Sequence, residues 1–202
     1  MPRLSQNKDL PTAITNLRLC TALKDCGAIG VANAFDKSSA EHLYVYDDGD
    51  LGYTDWTDVE PAFVSKCFEV TNPNNNTIAL LPLDGRIITG PSVIVGGVCD
   101  GMLLTDREMC LIEFKTNASG FNYLIQRAED AIEQLWHTFN SIVKPRCKEI
   151  ENLLSVDFYV VFDKDLEVTG ANSALMDLQI QFLQDYKYPL TFDNKKEFLL
   201  KI

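Results

Sequence analysis

Asp100, Glu113 and Lys115 stand inside "VCDGMLLTDREMCLIEFKTN" (residues 98–117), a mostly apolar stretch that reads as two strands around a short turn. Alternate strand residues share a face, so Glu113 and Lys115 project to one side while Ile112 and Phe114 project to the other. The "TDRE" turn folds the strand that follows Asp100 back along the second strand, which brings Asp100 toward Glu113. Two carboxylates, helped by a strand carbonyl such as that of Phe114, suit Mg2+ or Mn2+ and leave positions for water and a phosphate oxygen. Such an ion lowers the pKa of a bound water, and a neighbouring lysine can orient that water or offset charge in the transition state. The chemistry these parts fit is phosphodiester hydrolysis. The competing reading is a same-face salt pair on a solvated strand, worth ~0–1 kcal/mol.

The elements that must position these residues follow from periodicity and turn chemistry. "KCFEVTNPNNNTIALLPLDG" reads as a hairpin, with strands near 66–71 and 77–83 around an Asn-rich turn. Further strands are expected near 92–104, a β-branched run that its Gly pair could bend, and near 109–116. Ser119 then offers an N-cap for a helix over about 120–143, with Leu124, Ala128, Ala131, Leu135 and Phe139 on one face and Pro145 at its end. An apolar strand near 156–162 is expected to join the same sheet in parallel, followed by a helix in "ANSALMDLQIQFLQDY" and two short strands around the "DNKK" turn. Residues 1–60 are less regular, with a strand and an acidic turn in "EHLYVYDDGDLGYTDW". This order argues for a mixed α/β or α+β domain in which Leu111, Ile112, Phe114, Leu124, Ala128, Leu135, Phe158 and Val160 are buried.

Asp100, Glu113-x-Lys115 and the helix after them resemble the PD-(D/E)xK nuclease-like superfamily. That resemblance implies a restriction-endonuclease-like αβββαβ core with a mixed central sheet over about residues 60–162, with 1–59 and 163–202 packed on as extensions of a single domain. It implies a Mg2+- or Mn2+-dependent hydrolase, with Asp100, Glu113 and the Phe114 carbonyl as metal ligands and Lys115 as the activating or stabilising cation. "AEDAIEQL" in the helix is similar to the A-x-x-Q-L pattern of several members, which adds Gln134 as an auxiliary catalytic residue on a polar stripe with Gln126 and Asp130. Cys99 stands where the family pattern has proline, and the acid often supplied ahead of the sheet is left to Glu60 or Glu69. DNA or RNA is then the implied substrate. The alternative is a non-catalytic protein on the same fold, acting through its acidic surface as a subunit, adaptor or inhibitor.

Composition bounds these readings. The 202 residues are 46% hydrophobic and 23% charged, with a net charge of -11. Such a surface repels a polyanion, so a nucleic-acid enzyme here needs a local basic patch or a basic protein partner. No run approaches the ~20 apolar residues of a membrane span and no secretory signal is evident, so a soluble, cytoplasmic protein is expected. Cys20, Cys26, Cys67, Cys99, Cys110 and Cys147 lack CxxC spacing and are expected as reduced, mostly buried thiols, and His42 and His137 form no zinc pattern. Asp47, Asp48 and Asp50 around Gly49 fail the EF-hand spacing, with Asp58 in place of its terminal Glu, and are expected as an exposed acidic loop. Trp56 and Trp136 are expected as core or groove aromatics rather than base-stacking platforms, and neither Gly-rich stretch has a nucleotide-binding fingerprint.

Overall fold

The computed structural model describes residues 11–118, 120–165 and 171–199. Among these, the strands are β1 (Asp36–Ser38), β2 (His42–Asp48), β3 (Tyr53–Thr57), β4 (Phe68–Thr71), β5 (Ile78–Pro82), β6 (Gly101–Leu104), β7 (Glu108–Phe114), β8 (Ser155–Val161), β9 (Leu190–Thr191) and β10 (Lys195–Glu197). Short helical turns α1 (Thr12–Asn16), α2 (Leu19–Ala22) and α3 (Val31–Ala34) precede them. The long helix α4 (Phe121–His137) follows β7, α5 (Lys144–Arg146) and α6 (Ile150–Leu153) lead into β8, and α7 (Ala171–Tyr186) follows it.

The strands form a six-stranded mixed sheet in the order β1-β5-β6-β7-β8-β9 and a four-stranded mixed sheet in the order β10-β4-β2-β3. β5, β6 and β7 run as an antiparallel meander, and β8, reached through α4, lies parallel to β7 as expected. The architecture is thus mixed α/β.

Strand alternation explains the layers. From β7, Cys110, Ile112 and Phe114 face the small sheet, where they pack with Phe68 and Val70 of β4, Leu43 and Val45 of β2, and Trp56 of β3. Met109 and Leu111 face the opposite way, into a core shared with Ala131 and Leu135 of α4 and Phe182 of α7. The large sheet is therefore covered on both faces, which is why β7 is apolar almost throughout and why a charge on it cannot simply turn to water. The eight residues expected in the core are all buried.

α4 exists because its apolar positions recur every three or four residues: Leu124, Ala128, Ala131 and Leu135 form one buried stripe. Ser119, the expected cap, lies outside the described residues, and Gly120 precedes the first turn. At Thr138 the helix widens into a π-helical segment through Val143 and then continues through Pro145 to Arg146. Thr138 Oγ1 donates to Gln134 O at 2.8 Å and itself accepts from the Cys99 amide at 2.8 Å. One side chain thus ties the loop before β6 to the helix. Leu135→Ala should cost ~2–5 kcal/mol, because a fully buried isobutyl group is removed from a closed core. Chemical denaturation checks this, and a loss below ~1 kcal/mol would show that the stripe does not carry the packing.

Three sequence expectations are corrected. Residues 66–71 and 77–83 do not form a hairpin, for β4 belongs to the small sheet and β5 to the large one. The Asn72 side chain binds the carbonyls of Ala40 and Asn76 and the amide of Asn76, so the turn crosses between layers, and Phe68 and Val70 meet Ile78 and Leu80 face to face. The expected strand over 92–104 is a strand only from Gly101; the preceding run is a turn-rich loop. Gly96 and Gly97 have φ of 107° and 83°, and a Cβ on Gly97 would lie 2.6 Å from Gln134 Cγ, so these glycines let the loop press on α4 instead of pairing. The two strands expected around "DNKK" also separate, β9 pairing with β8 and β10, which begins inside that stretch at Lys195, with β4, while Asn194 Nδ2 donates to Phe162 O at 2.6 Å.

Candidate active site

The β6–β7 register pairs Gly101 with Ile112, and continuing it by one residue sets Asp100 opposite Glu113 on the same face. The Asp100 amide donates to Glu113 Oε2 at 3.2 Å, and Asp100 Oδ2 accepts the Phe114 amide at 2.6 Å. Glu113 Oε1 accepts a hydrogen bond from Lys115 Nζ, which also donates to Gln134 Oε1 on α4 at 2.6 Å. The four side chains named from sequence therefore meet at one end of the large sheet, on its helical face.

Burial excludes the solvated salt pair. Glu113 is 2% exposed and Lys115 7%, so the pair is desolvated and sits where an exposed ion pair's ~0–1 kcal/mol does not apply. Asp100 is half-buried and closer to solvent. Its ionisation is pushed well above the usual carboxylate range, first by burial and then by the Glu113 charge, against the stabilising Phe114 amide. Glu113 is pushed up to about 7, chiefly by burial, although Lys115 pulls the other way. Both shifts describe a pocket with one more negative charge than it can settle alone.

Two further carboxylates act on this pocket, and the sequence reading did not place them there. Asp84 raises the Glu113 pKa, and Asp47 raises that of Asp100. Asp47 is itself raised, by burial and then by Asp84 and Asp48. The Leu83 amide donates to Asp100 O at 2.9 Å, which puts Asp84 one residue beyond the row that holds Asp100 and Glu113. The sequence signal for Asp84 is "PLDG", an acid at the end of an apolar strand, the same placement as Asp100. Asp84 and Asp47 are exposed, so negative charge runs from the surface to buried Glu113.

Glu60 and Glu69, the acids considered ahead of the sheet, lie together by Tyr44 of the small sheet, and Glu69 is bound by Lys164 and Lys195. Neither is among the charges that shift Asp100 or Glu113. Asp48 caps the β2–β3 turn, its Oδ1 accepting from the amides of Asp50 and Leu51 at 2.9 and 3.0 Å. Trp56 is in the core and donates to Asp36 Oδ2 at 3.1 Å, while Trp136 stacks on Tyr186 at 3.9 Å. Asp130 of the polar stripe faces Arg127 at 3.8 Å, so of that stripe it is Gln134 that reaches Lys115. All six cysteines are free, five of them buried, with Cys20 exposed.

Among the described residues no group of three or more His, Cys, Asp and Glu side chains is arranged to hold a metal ion. The donor set on hand is two hard carboxylates, Asp100 and Glu113, each keeping lone pairs beyond the hydrogen bonds above. That fits a divalent cation completed by water and substrate oxygen, the usual manner of Mg2+, and not a thiolate- or imidazole-seeking ion. No helix among the described residues is long and apolar enough to cross a membrane. Compared with protein-family models, curated proteins and solved structures, the chain has no match.

Proposed function

We propose that the protein hydrolyses phosphodiester bonds of nucleic acid in a Mg2+- or Mn2+-dependent reaction at the Asp100–Glu113–Lys115 site, on a restriction-endonuclease-like core of the PD-(D/E)xK type. The single observation that carries this reading is the desolvated Glu113–Lys115 pair joined to Asp100 on one side and Gln134 on the other. A buried ion pair is weak support for stability, so its presence beside a second carboxylate is better explained by chemistry. The antiparallel β5–β6–β7 meander, the α4 crossover and the parallel β8 agree with such a core. Free thiols agree with a reducing, cytoplasmic setting.

Asp100 and Glu113 would hold the cation, with the Phe114 carbonyl as a third oxygen. The ion supplies an activated water and a counter-charge for phosphate. Lys115 would offset part of the burial penalty on the Glu113 carboxylate and present an ammonium to the attacking water or the phosphate oxygens. Gln134 is a positioning residue, since it acts by fixing Lys115 Nζ, and the Gly96–Gly97 loop in turn packs against it.

Divalent-metal binding tests the reading most directly. Titration calorimetry with Mn2+ should show a site that Asp100→Ala removes. Glu113 and Asp100 have raised pKa values, so protons must leave as the ion enters, and affinity should climb by about tenfold or more from pH 6 to pH 8 with proton release. Metal binding with neither pH dependence nor sensitivity to Asp100→Ala would end the proposal. A protein that neither binds the metal nor cuts single-stranded or duplex nucleic acid would instead be the acidic binding subunit, adaptor or inhibitor, taking a basic protein partner.

A further inference from the structure

Arg86 is 9% exposed, and its Nε is fully enclosed without a hydrogen-bond partner. No carboxylate forms an ion pair with it among the described residues; its guanidinium lies over the Tyr53 ring, 4.3 Å from the centroid. In a chain with 29 acidic and 18 basic side chains, a largely buried arginine with no carboxylate paired to it is unusual. Contrast Lys196, equally buried, which binds Glu108 at 2.9 Å and Asp157 at 2.8 Å. The enclosed Nε has lost its hydration without a hydrogen bond in return, and what holds the group over Tyr53 is the smaller attraction of a ring face.

The backbone holds Arg86 at the border of the site described above. The turn that carries it starts at Leu83, whose amide is bonded to Asp100 O, and closes through the Ile88 amide on Leu83 O at 2.8 Å. Gly85, with φ of 69°, is pressed so closely on the β2–β3 turn that a Cβ would lie 2.0 Å from Gly52 O. The turn is thus pressed on the β2–β3 turn, and the Arg86 guanidinium lies over the ring of Tyr53 just beyond it. Next to Tyr53, Thr54 is buried against Gly101 and its Oγ1 also has no partner. Two enclosed polar atoms without partners, Arg86 Nε and Thr54 Oγ1, thus lie around the Tyr53–Thr54 pair, next to Gly101, the residue after Asp100.

We infer that Arg86 is an anion subsite that takes a phosphodiester oxygen of a nucleic-acid strand, at a phosphate neighbouring the one that meets Asp100 and Glu113. This rests on the hydrolytic reading of the adjoining site. A planar fork matches phosphate geometry, and a stacked guanidinium is preorganised to bind it. It also answers how so acidic a chain holds a polyanion: the metal ion offsets the carboxylates, and Arg86 supplies the local positive charge.

The test uses the full chain with end-labelled single-stranded and duplex oligonucleotides, Ca2+ replacing Mg2+ to hold back cutting, and fluorescence anisotropy from low to moderate salt. Arg86→Met should weaken binding about tenfold and reduce the slope of log affinity against log salt by about 0.7–0.9, one phosphate contact, with Arg86→Lys intermediate. Its Tm should match or exceed the parent's, because an uncompensated enclosed charge is gone. Unchanged affinity and slope in Arg86→Met, no oligonucleotide binding by the parent, or a lowered Tm with unchanged affinity would each overturn the inference. Cutting is scored separately in Mn2+. Arg86-dependent binding without cutting keeps the subsite and sinks the hydrolytic reading, whereas cutting with Arg86-independent binding does the reverse.

Discussion

Lys115→Ala should abolish metal-dependent cutting and also destabilise the fold by ~3–5 kcal/mol at pH 8, because it strands a carboxylate that is 2% exposed. A surface pair at this position would have made the same change nearly silent. The pH dependence identifies the cause. Glu113 already ionises at about 7 in the folded chain, above its ordinary value, so the folded state holds the proton more tightly than the unfolded state does. Stability therefore falls as pH rises through the interval from ~4.5 to 7. Lys115 is the largest influence pulling that pKa down, so its loss moves the folded value higher and extends the falling interval toward alkaline pH. The penalty should be greatest at pH 8 and least below ~4.5, where Glu113 is protonated in both states. Urea unfolding of parent and variant across pH 4–9 measures it, and a pH-independent penalty would assign the loss to packing instead. Lys115→Arg, which keeps the charge, should recover much of the stability but little of the cutting, since the guanidinium cannot match the ammonium's hold on both Glu113 and Gln134.

Phe158→Ala is expected to cost ~3–5 kcal/mol and lower Tm by roughly 6–20 °C. Phe158 is fully buried in β8, with the rings of Phe139, Phe182, Tyr188 and Trp136 at centroid distances of 5.4, 5.2, 5.7 and 6.4 Å. Trp136 and Phe139 come from the end of α4 and the π-helical segment after it, Phe182 and Tyr188 from α7 and the segment before β9, so one deletion opens a cavity between chain regions on either side of β8. Differential scanning calorimetry reads the shift. A Tm within 2 °C of the parent's would mean that the rings close over the gap, which a core packed to crystalline density resists.

Local chemistry made much of the site legible. The two-residue period of a strand set Glu113 and Lys115 on one face, the short turn returned Asp100 to them, and the helical period of α4 put Gln134 on the polar side of its buried stripe. Each of these rests on neighbours within about 35 residues, where geometry follows from repeat lengths alone. The thiols, the two tryptophans and the strand order β5-β6-β7-β8 were legible for the same reason. The layers were not. Nothing in "TNPNNN" distinguishes a hairpin turn from a passage between sheets, because both need the same Asn-rich turn chemistry. The choice lies with Phe68 and Val70, which are buried in a core with Ile78, Leu80, Leu103 and Ile112 of the large sheet. The same holds for β9 and β10, which separate to complete different sheets. Depth, too, was decided only in three dimensions. Glu113 and Lys115 read as a surface pair or a buried one with equal ease until sheet, helix and small sheet close around β7, and that closure is what lifts the Glu113 pKa. Asp84 and Asp47 reach the site from other strands and turns, through long-range packing that no period in the chain announces.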